Sequence, residues 1–435
     1  MPGGSNVDLN HTFPAARMAA AEDPGVMRVK THRRRPLPHW AGRMATPHAE
    51  FARRSAQFLR RLSTMRECVV IQRVLLLAML PIGDSLLITP TLRALRARYP
   101  SARLVALTHA NAAPVLRCVP ALDDTVVLPT GPDWRGPGAL VAMLRRLRAE
   151  RFDVSVDFTS PAYKWISLVS GIWCRTSMKF DPLWWLIPGR HHRWRAIHAA
   201  QHYYDCAREL DLPAWDVVDH APHLVVPAAT RAGAQAFLDR ELDRYRARGR
   251  SRPLVGIHAG GAGLGGLKRW PAERFAELGT ELSRRWGARC LLLGGPDEVD
   301  LARQIAQAMP DPPLCAVGRL PLLETFALIE TCDLFIGNDS SLLHAAAALG
   351  VPYVGIFGPT APANFRPIPA RPGQGTLVTP IPACDEQRGF VGRQVPWSRP
   401  RCTGVCAALA GLDVQTVTAR AGDLLRQPAS RGTAA

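Results

Sequence analysis

The sequence predicts an α/β protein: two parallel-sheet domains facing each other across a cleft, behind a disordered basic N-terminal tail. Three observations predict it. From residue 73 onward, short apolar runs alternate with helix-patterned segments, as in a parallel sheet with right-handed crossovers. The runs are almost continuously apolar, as in RVLLLAM at 73–79, which suits strands buried on both faces. A proline-rich stretch at 213–227 with little periodicity divides the alternation into two series, so the interdomain connection is expected near its end.

The chain has 435 residues, enough for two domains and a tail. We expect the tail at 1–68, the first domain at 69–228, the second at 229–410 and a C-terminal helix and tail at 411–435. Hydrophobic residues make up 47% and charged residues 21%, which argues against a disordered chain as a whole. The net charge of +18 implies an anionic partner: nucleic acid, lipid headgroups or a phosphorylated substrate. The ten cysteines form no repeated CxxC pairs. No secretory signal and no apolar run of membrane-spanning length is evident, so a cytoplasmic protein with reduced thiols is expected.

In chain order, residues 1–46 have few periodic apolar positions and are expected to be disordered. Residues 1–68 hold 12 Lys/Arg against 5 Asp/Glu. Phe51, Phe58, Leu59 and Leu62 alternate with Arg53, Arg54, Arg60, Arg61 and Arg66. That pattern reads either as an amphipathic helix lying on an anionic membrane or as a solvated helix docked on the protein body. Strands are expected at 73–79, 103–108, 124–128 and 154–157, a turn at 80–85, and helices at 86–99, 140–151 and 199–210. Pro90 is tolerable only near a helix start. Trp165, Trp173, Trp184, Trp185 and Trp194 are interleaved with basic residues. Such a mixture can stack on sugars or bases, though core or interface packing is the commoner use.

The second series begins after a polar helix at 229–248. It offers strands at 254–258, 289–293, 334–336 and 353–357, and helices at 271–286, 323–331 and 342–349. A turn, Gly294-Gly295-Pro296-Asp297-Glu298, leads into another helix that ends near Met309. A last helix covers 414–426.

The cleft between strand C-termini is the natural site. From the first half it receives Gly83, Asp84 and Ser85; from the second, a loop at 259–267 with five glycines, then Lys268, Glu298 and the helix start Asp339-Ser340-Ser341 with His344. Glycines such as Gly260 and Gly261 let backbone approach a phosphate closely, and Lys268 supplies a point charge. The loop carries no GxxxxGK[ST] and no GxGxxG directly after a strand. Asp84 reads either as a helix N-cap or as a general base. Asp339 and Ser340 read either as caps or as part of an anion site. No second carboxylate stands at a fixed spacing from Asp84, so a hydrolytic dyad is not indicated. Cys384, Cys402 and Cys406 lack an evident fourth ligand for zinc.

Several stretches together resemble glycosyltransferase family 9, the bacterial lipopolysaccharide heptosyltransferases. They are RVLLLAMLPIGDSLLITPTLRALRARYP, FDVSVDF, VGIHAG followed by LKRWPAERFAELG, LLLGGPDE, FIGNDSSLLHAAAALGVPYVGIFGPTAPANF and RCTGVCAAL. They span roughly 74–427 in the family's order. The resemblance implies two Rossmann-like domains (the GT-B fold) and metal-free, cofactor-free inverting transfer from a nucleotide sugar, usually ADP-heptose. It implies that Asp84 is the base, that Lys268 contacts donor phosphates, and that Glu298 lies near the donor ribose or base. Gly260, Gly261, Asp339, Ser340, Ser341 and His344 would line the donor site, with Gly83 and Ser85 on the acceptor side. The chain departs from the family's usual residues at Ala78, where Arg is common, and at Ser341, where Gly is common.

The expected partners are a nucleotide-sugar donor, a glycolipid or glycan acceptor and the anionic inner face of the cell membrane, rather than nucleic acid. Two other readings compete: a GT-B enzyme acting on a non-heptose donor, and a non-catalytic binder of nucleotide sugars or nucleic acid.

Overall fold

The computed structural model describes residues 71–129, 136–159, 163–172, 174–179, 190–193, 197–243, 253–261, 266–380 and 406–427. The basic tail with its amphipathic stripe, Trp173, Trp184, Trp185, Trp194, Gly263, Gly265, Cys384 and Cys402 lie outside them.

The first sheet contains β1 (Arg73–Leu77), β2 (Arg103–Thr108), β3 (Asp124–Val127), β4 (Val154–Asp157), β5 (Cys174–Lys179) and β6 (Arg190–Arg193). Its order is β3-β2-β1-β4-β5-β6, and every pairing is parallel. The second contains β7 (Leu254–His258), β8 (Arg289–Leu292), β9 (Leu314–Cys315), β10 (Leu334–Asn338), β11 (Tyr353–Ile356) and β12 (Gly375–Val378). Its order is β12-β11-β10-β7-β8-β9, also fully parallel. Both sheets thus repeat the doubly wound order, with a switch point between their first and fourth strands. The GT-B architecture expected from the resemblance is present.

Strand alternation explains how each sheet is covered on both faces. In β1, Val74 and Leu76 pack with Leu92, Leu95 and Tyr203 on one face. Leu75 and Leu77 pack with Met143 and Leu147 on the other. Burying each such side chain contributes roughly 1.5–3 kcal/mol. In β7, Val255 and Ile257 meet Phe275, Leu278 and Leu282 of the Ala272–Trp286 helix. A third cluster joins the two halves: Leu86, Val115 and Cys118 lie with Phe326, Leu342 and Ala346. The Ser341–Ala348 helix, short and alanine-rich, is therefore a buried wedge rather than a surface element.

Two expectations change in ways that bear on function. The segment after β1 is not a turn followed by one long helix. A short helix, Ile82–Leu87, comes first, and Thr89–Arg98 follows after a break at Ile88. Pro90 stands in the first turn of the second helix, where its missing N–H costs nothing. It is the reason one helix becomes two. Likewise, β10 continues past Ile336 through Gly337 and Asn338. Gly337 allows this because a Cβ there would meet the His258 carbonyl at 3.1 Å.

Asn338 closes the end of β10. Its Nδ2 donates to the Ala259 carbonyl at 2.8 Å and to the Gly260 carbonyl at 3.0 Å, and its Oδ1 accepts from Trp270 N at 3.1 Å. It is fully buried. Asn338→Ala leaves those backbone groups unpaired, and we expect a loss of about 2–4 kcal/mol. The check is the urea midpoint of the full-length protein; an unchanged midpoint would show that the loop does not hang on this side chain.

Candidate active site

The site stands over the two switch points. The Ile82–Leu87 helix follows β1 and carries Asp84 in its first turn. The N-cap position belongs to Pro81, so Asp84 does not cap its helix. Its Oδ1 instead accepts a 2.8 Å hydrogen bond from the Tyr203 hydroxyl. Burial raises the Asp84 pKa above the ordinary carboxyl value; the Tyr203 bond and the Lys268 charge work against that rise, and Asp339 adds to it. Ser85 is fully buried, and its hydroxyl donates to the Pro81 carbonyl at 3.0 Å. Its side chain is thus held inside the helix. Ala78 is fully buried in the first core.

Across from Asp84, the residues after β7 and β10 build a charged cradle. Lys268 Nζ donates to Asp339 Oδ2 at 2.6 Å, and the Thr360 hydroxyl donates to the same oxygen at 2.6 Å. Burial alone would push the Asp339 carboxyl up, but Lys268, His344 and these two bonds hold it below its usual value. An ammonium has three donors, and one goes to Asp339. Ser340 occupies the N-cap position without a side-chain cap bond; its hydroxyl lies 2.9 Å from His258 Nδ1. The capping reading of Asp339 and Ser340 therefore fails. Both side chains are committed to neighbours across the strand ends, while the N–H groups of the helix start remain an anion-binding geometry. Ser341 is the first residue of that helix.

His344 is buried, and its Nε2 lies 4.0 Å from Asp339 Oδ1. Burial lowers its pKa to about 4 against the pull of Asp339, with Lys268 adding to the drop. The ring is therefore neutral near pH 7. Its Cδ2 would lie 3.4 Å from a Cβ on Gly83, and Ser341 Cα 3.6 Å. The two halves thus meet closely beside Asp84.

Glu298 is buried in its own cage. His258 Nε2 lies 3.0 Å from its Oε2, which also accepts from Gly295 N at 2.9 Å; its Oε1 accepts from Gly261 N at 2.8 Å. Burial disfavours the charge, but the His258 bond and the two backbone donors outweigh it and bring the pKa down to about 2. An ionised carboxylate only accepts, so His258 Nε2 donates. Gly260 is required beside this carboxylate, because a Cβ there would overlap Glu298 Oε1. Gly261 has φ +146°, a conformation that favours glycine.

The structure thus brings Gly83, Asp84, Lys268, Asp339, Ser340, Ser341 and His344 to one region. Gly260, Gly261 and Glu298 form the floor behind the helix start. Sequence reasoning missed Tyr203, His258 and Thr360. His258 was open to detection as a histidine ending an otherwise apolar strand; Tyr203 sits in an expected helix, but 119 residues from its partner.

A profile of glycosyltransferase family 9 (heptosyltransferase) matches residues 140–384. Lipooligosaccharide heptosyltransferase 2 of Haemophilus influenzae is 26% identical over 295 residues, covering 66% of this chain and 83% of that protein. Lipopolysaccharide heptosyltransferase 2 of Escherichia coli is 26% identical over 308 residues, covering 66% and 82%. In fold, the family 9 glycosyl transferase of Veillonella parvula superposes with a TM-score of 0.64 at 21% identity, covering 81% of this chain and 97% of that one. For the E. coli ADP-heptose lps heptosyltransferase II the TM-score is 0.61 at 21% identity, with 81% and 98% covered. The matched profile spans more than half of the chain and the whole of the second sheet: the protein belongs to glycosyltransferase family 9, the heptosyltransferases.

Proposed function

We propose that this glycosyltransferase moves heptose from ADP-heptose to a hydroxyl of a lipopolysaccharide-type or other cell-envelope glycan, with inversion and without a metal ion. The observation that carries the reading is the meeting of a carboxylate from one half, Asp84, with the Lys268–Asp339 pair and helix start of the other. In this reading Asp84 takes the proton of the acceptor hydroxyl as its oxygen forms the new bond to the anomeric carbon. The bond from that carbon to the diphosphate breaks on the opposite face, which inverts the centre. ADP leaves with the electron pair, and Lys268 and the N–H groups of the Ser341–Ala348 helix start offset its charge. Asp339 and Thr360 keep Lys268 in place, and Glu298 shapes the loop beneath the nucleotide. The donor named here is supported by what the relatives are called, ADP-heptose lps heptosyltransferase among them.

Among the described residues no helix is long and apolar enough to cross a membrane. The reading places the enzyme on the cytoplasmic side, held at the anionic membrane surface by residues 1–66, whose arginines each add about 1 kcal/mol near such a surface.

Asp84→Asn keeps donor binding but lowers turnover of ADP-heptose with rough-type lipopolysaccharide by roughly two to four orders of magnitude. Near-normal turnover would remove Asp84 from the chemistry. For the donor side, Lys268→Ala and Asp339→Ala each weaken ADP binding measured by calorimetry, and EDTA leaves the wild-type rate intact. Inhibition by EDTA that a divalent cation reverses would contradict the metal-free step. For the membrane, full-length protein floats with anionic vesicles at low salt and a 67–435 protein does not; equal flotation of the two would end that part of the reading.

A further inference from the structure

The Ala199–Ala207 helix carries Tyr203 against Asp84, and nothing in the proposed chemistry yet uses it. The tyrosine is buried in the first core, with its ring edge-on to Phe158 at a centroid distance of 6.1 Å. Its hydroxyl reaches out of that core to Asp84 Oδ1 at 2.8 Å. Burial, the Asp84 charge and the bond itself push the Tyr203 pKa well above its usual value. The phenol therefore stays protonated and can only donate to the carboxylate.

We propose that Tyr203 is the positioning residue of the base: it holds one oxygen of Asp84, turns the other toward the acceptor hydroxyl, and keeps the carboxylate ionised in a buried site. This rests on the reading of Asp84 as the base. The surroundings show why such a partner is needed. Burial works against the charge on Asp84, as does Asp339. The cation whose charge acts on it, Lys268, donates to Asp339. His344, packed against Gly83 beside Asp84, is neutral near pH 7. Among these groups, Tyr203 is the one that donates a hydrogen bond to the Asp84 carboxylate itself.

Geometry also fixes where the tyrosine stands. His198, the N-cap of its helix, sits with Nε2 2.8 Å from the Arg366 carbonyl, and Asn364 Nδ2 donates to the Ile197 carbonyl at 3.0 Å. The helix that aims the phenol is thus anchored on the segment after β11, in the donor half.

The test is Tyr203→Phe, which keeps the ring against Phe158 and removes one hydroxyl. Two readings are taken on full-length protein. The first needs no substrate: titration of the Asp84 carboxyl by difference infrared spectroscopy, its band identified by its loss in Asp84→Asn. The proposal expects the titration to move up by about one pH unit in Tyr203→Phe, the size of a hydrogen bond to a charged group. The second is the pH profile of kcat/KM with ADP-heptose and rough-type lipopolysaccharide. Its acid limb moves up by the same amount, kcat at neutral pH falls about tenfold, and the KM for donor stays put. Adding Tyr203→Phe to Asp84→Asn brings no further loss. An Asp84 titration unchanged in Tyr203→Phe overturns the proposal, whatever happens to thermal stability. A titration that moves while the acid limb stays fixed, with Asp84→Asn still active, instead sinks the assignment of Asp84 as the base.

Discussion

The second half of this protein depends on how one buried negative charge is satisfied. Glu298 is buried under the strand ends, where an ion survives only if hydrogen bonds meet it. His258, Gly261 N and Gly295 N meet it. Those contacts join the segment after β7 to the segment after β8. Through His258 they also reach Ser340, the residue that opens the buried Ser341–Ala348 helix. Asn338 fastens the same loop from the β10 side. The surface formed by Lys268 and the helix start is therefore held from behind, by the buried partners Asp339, Thr360, His258 and Glu298.

Much of this was legible in the sequence because parallel strands leave a plain mark. The inner strands β1, β2, β7, β10 and β11 are apolar runs, buried almost throughout. The edge strand β3 was legible too, but not every outer strand was: β5 and β6 read CRTSMK and RHHR, and β9 has only two residues, so no apolar period marks them. The split between Ile82–Leu87 and Thr89–Arg98 is half visible: Pro90 marks a helix start, but no residue type marks the short helix before it.

For the site, residue types near strand ends gave Asp84, Lys268, Asp339 and His344. What the sequence could not give was pairing. Asp339 and Ser340 have the chemistry of helix caps, and only the fold shows them turned to Lys268, Thr360 and His258. Tyr203 carries no local signal at all, because its role comes from a crossover that lays one helix beside another.

The repeated strand order has a consequence for where an acidic side chain can stand. Each half offers the same slot after its first strand, and a proton acceptor could in principle be built in either. In the second half that slot begins with Gly260, where even a methyl group would collide with Glu298. In the first half it carries Asp84, hydrogen-bonded to a buried phenol. One strand order, used twice, thus carries two different contents: steric exclusion leaves no room for a side chain in one slot, and a buried acid fills the other.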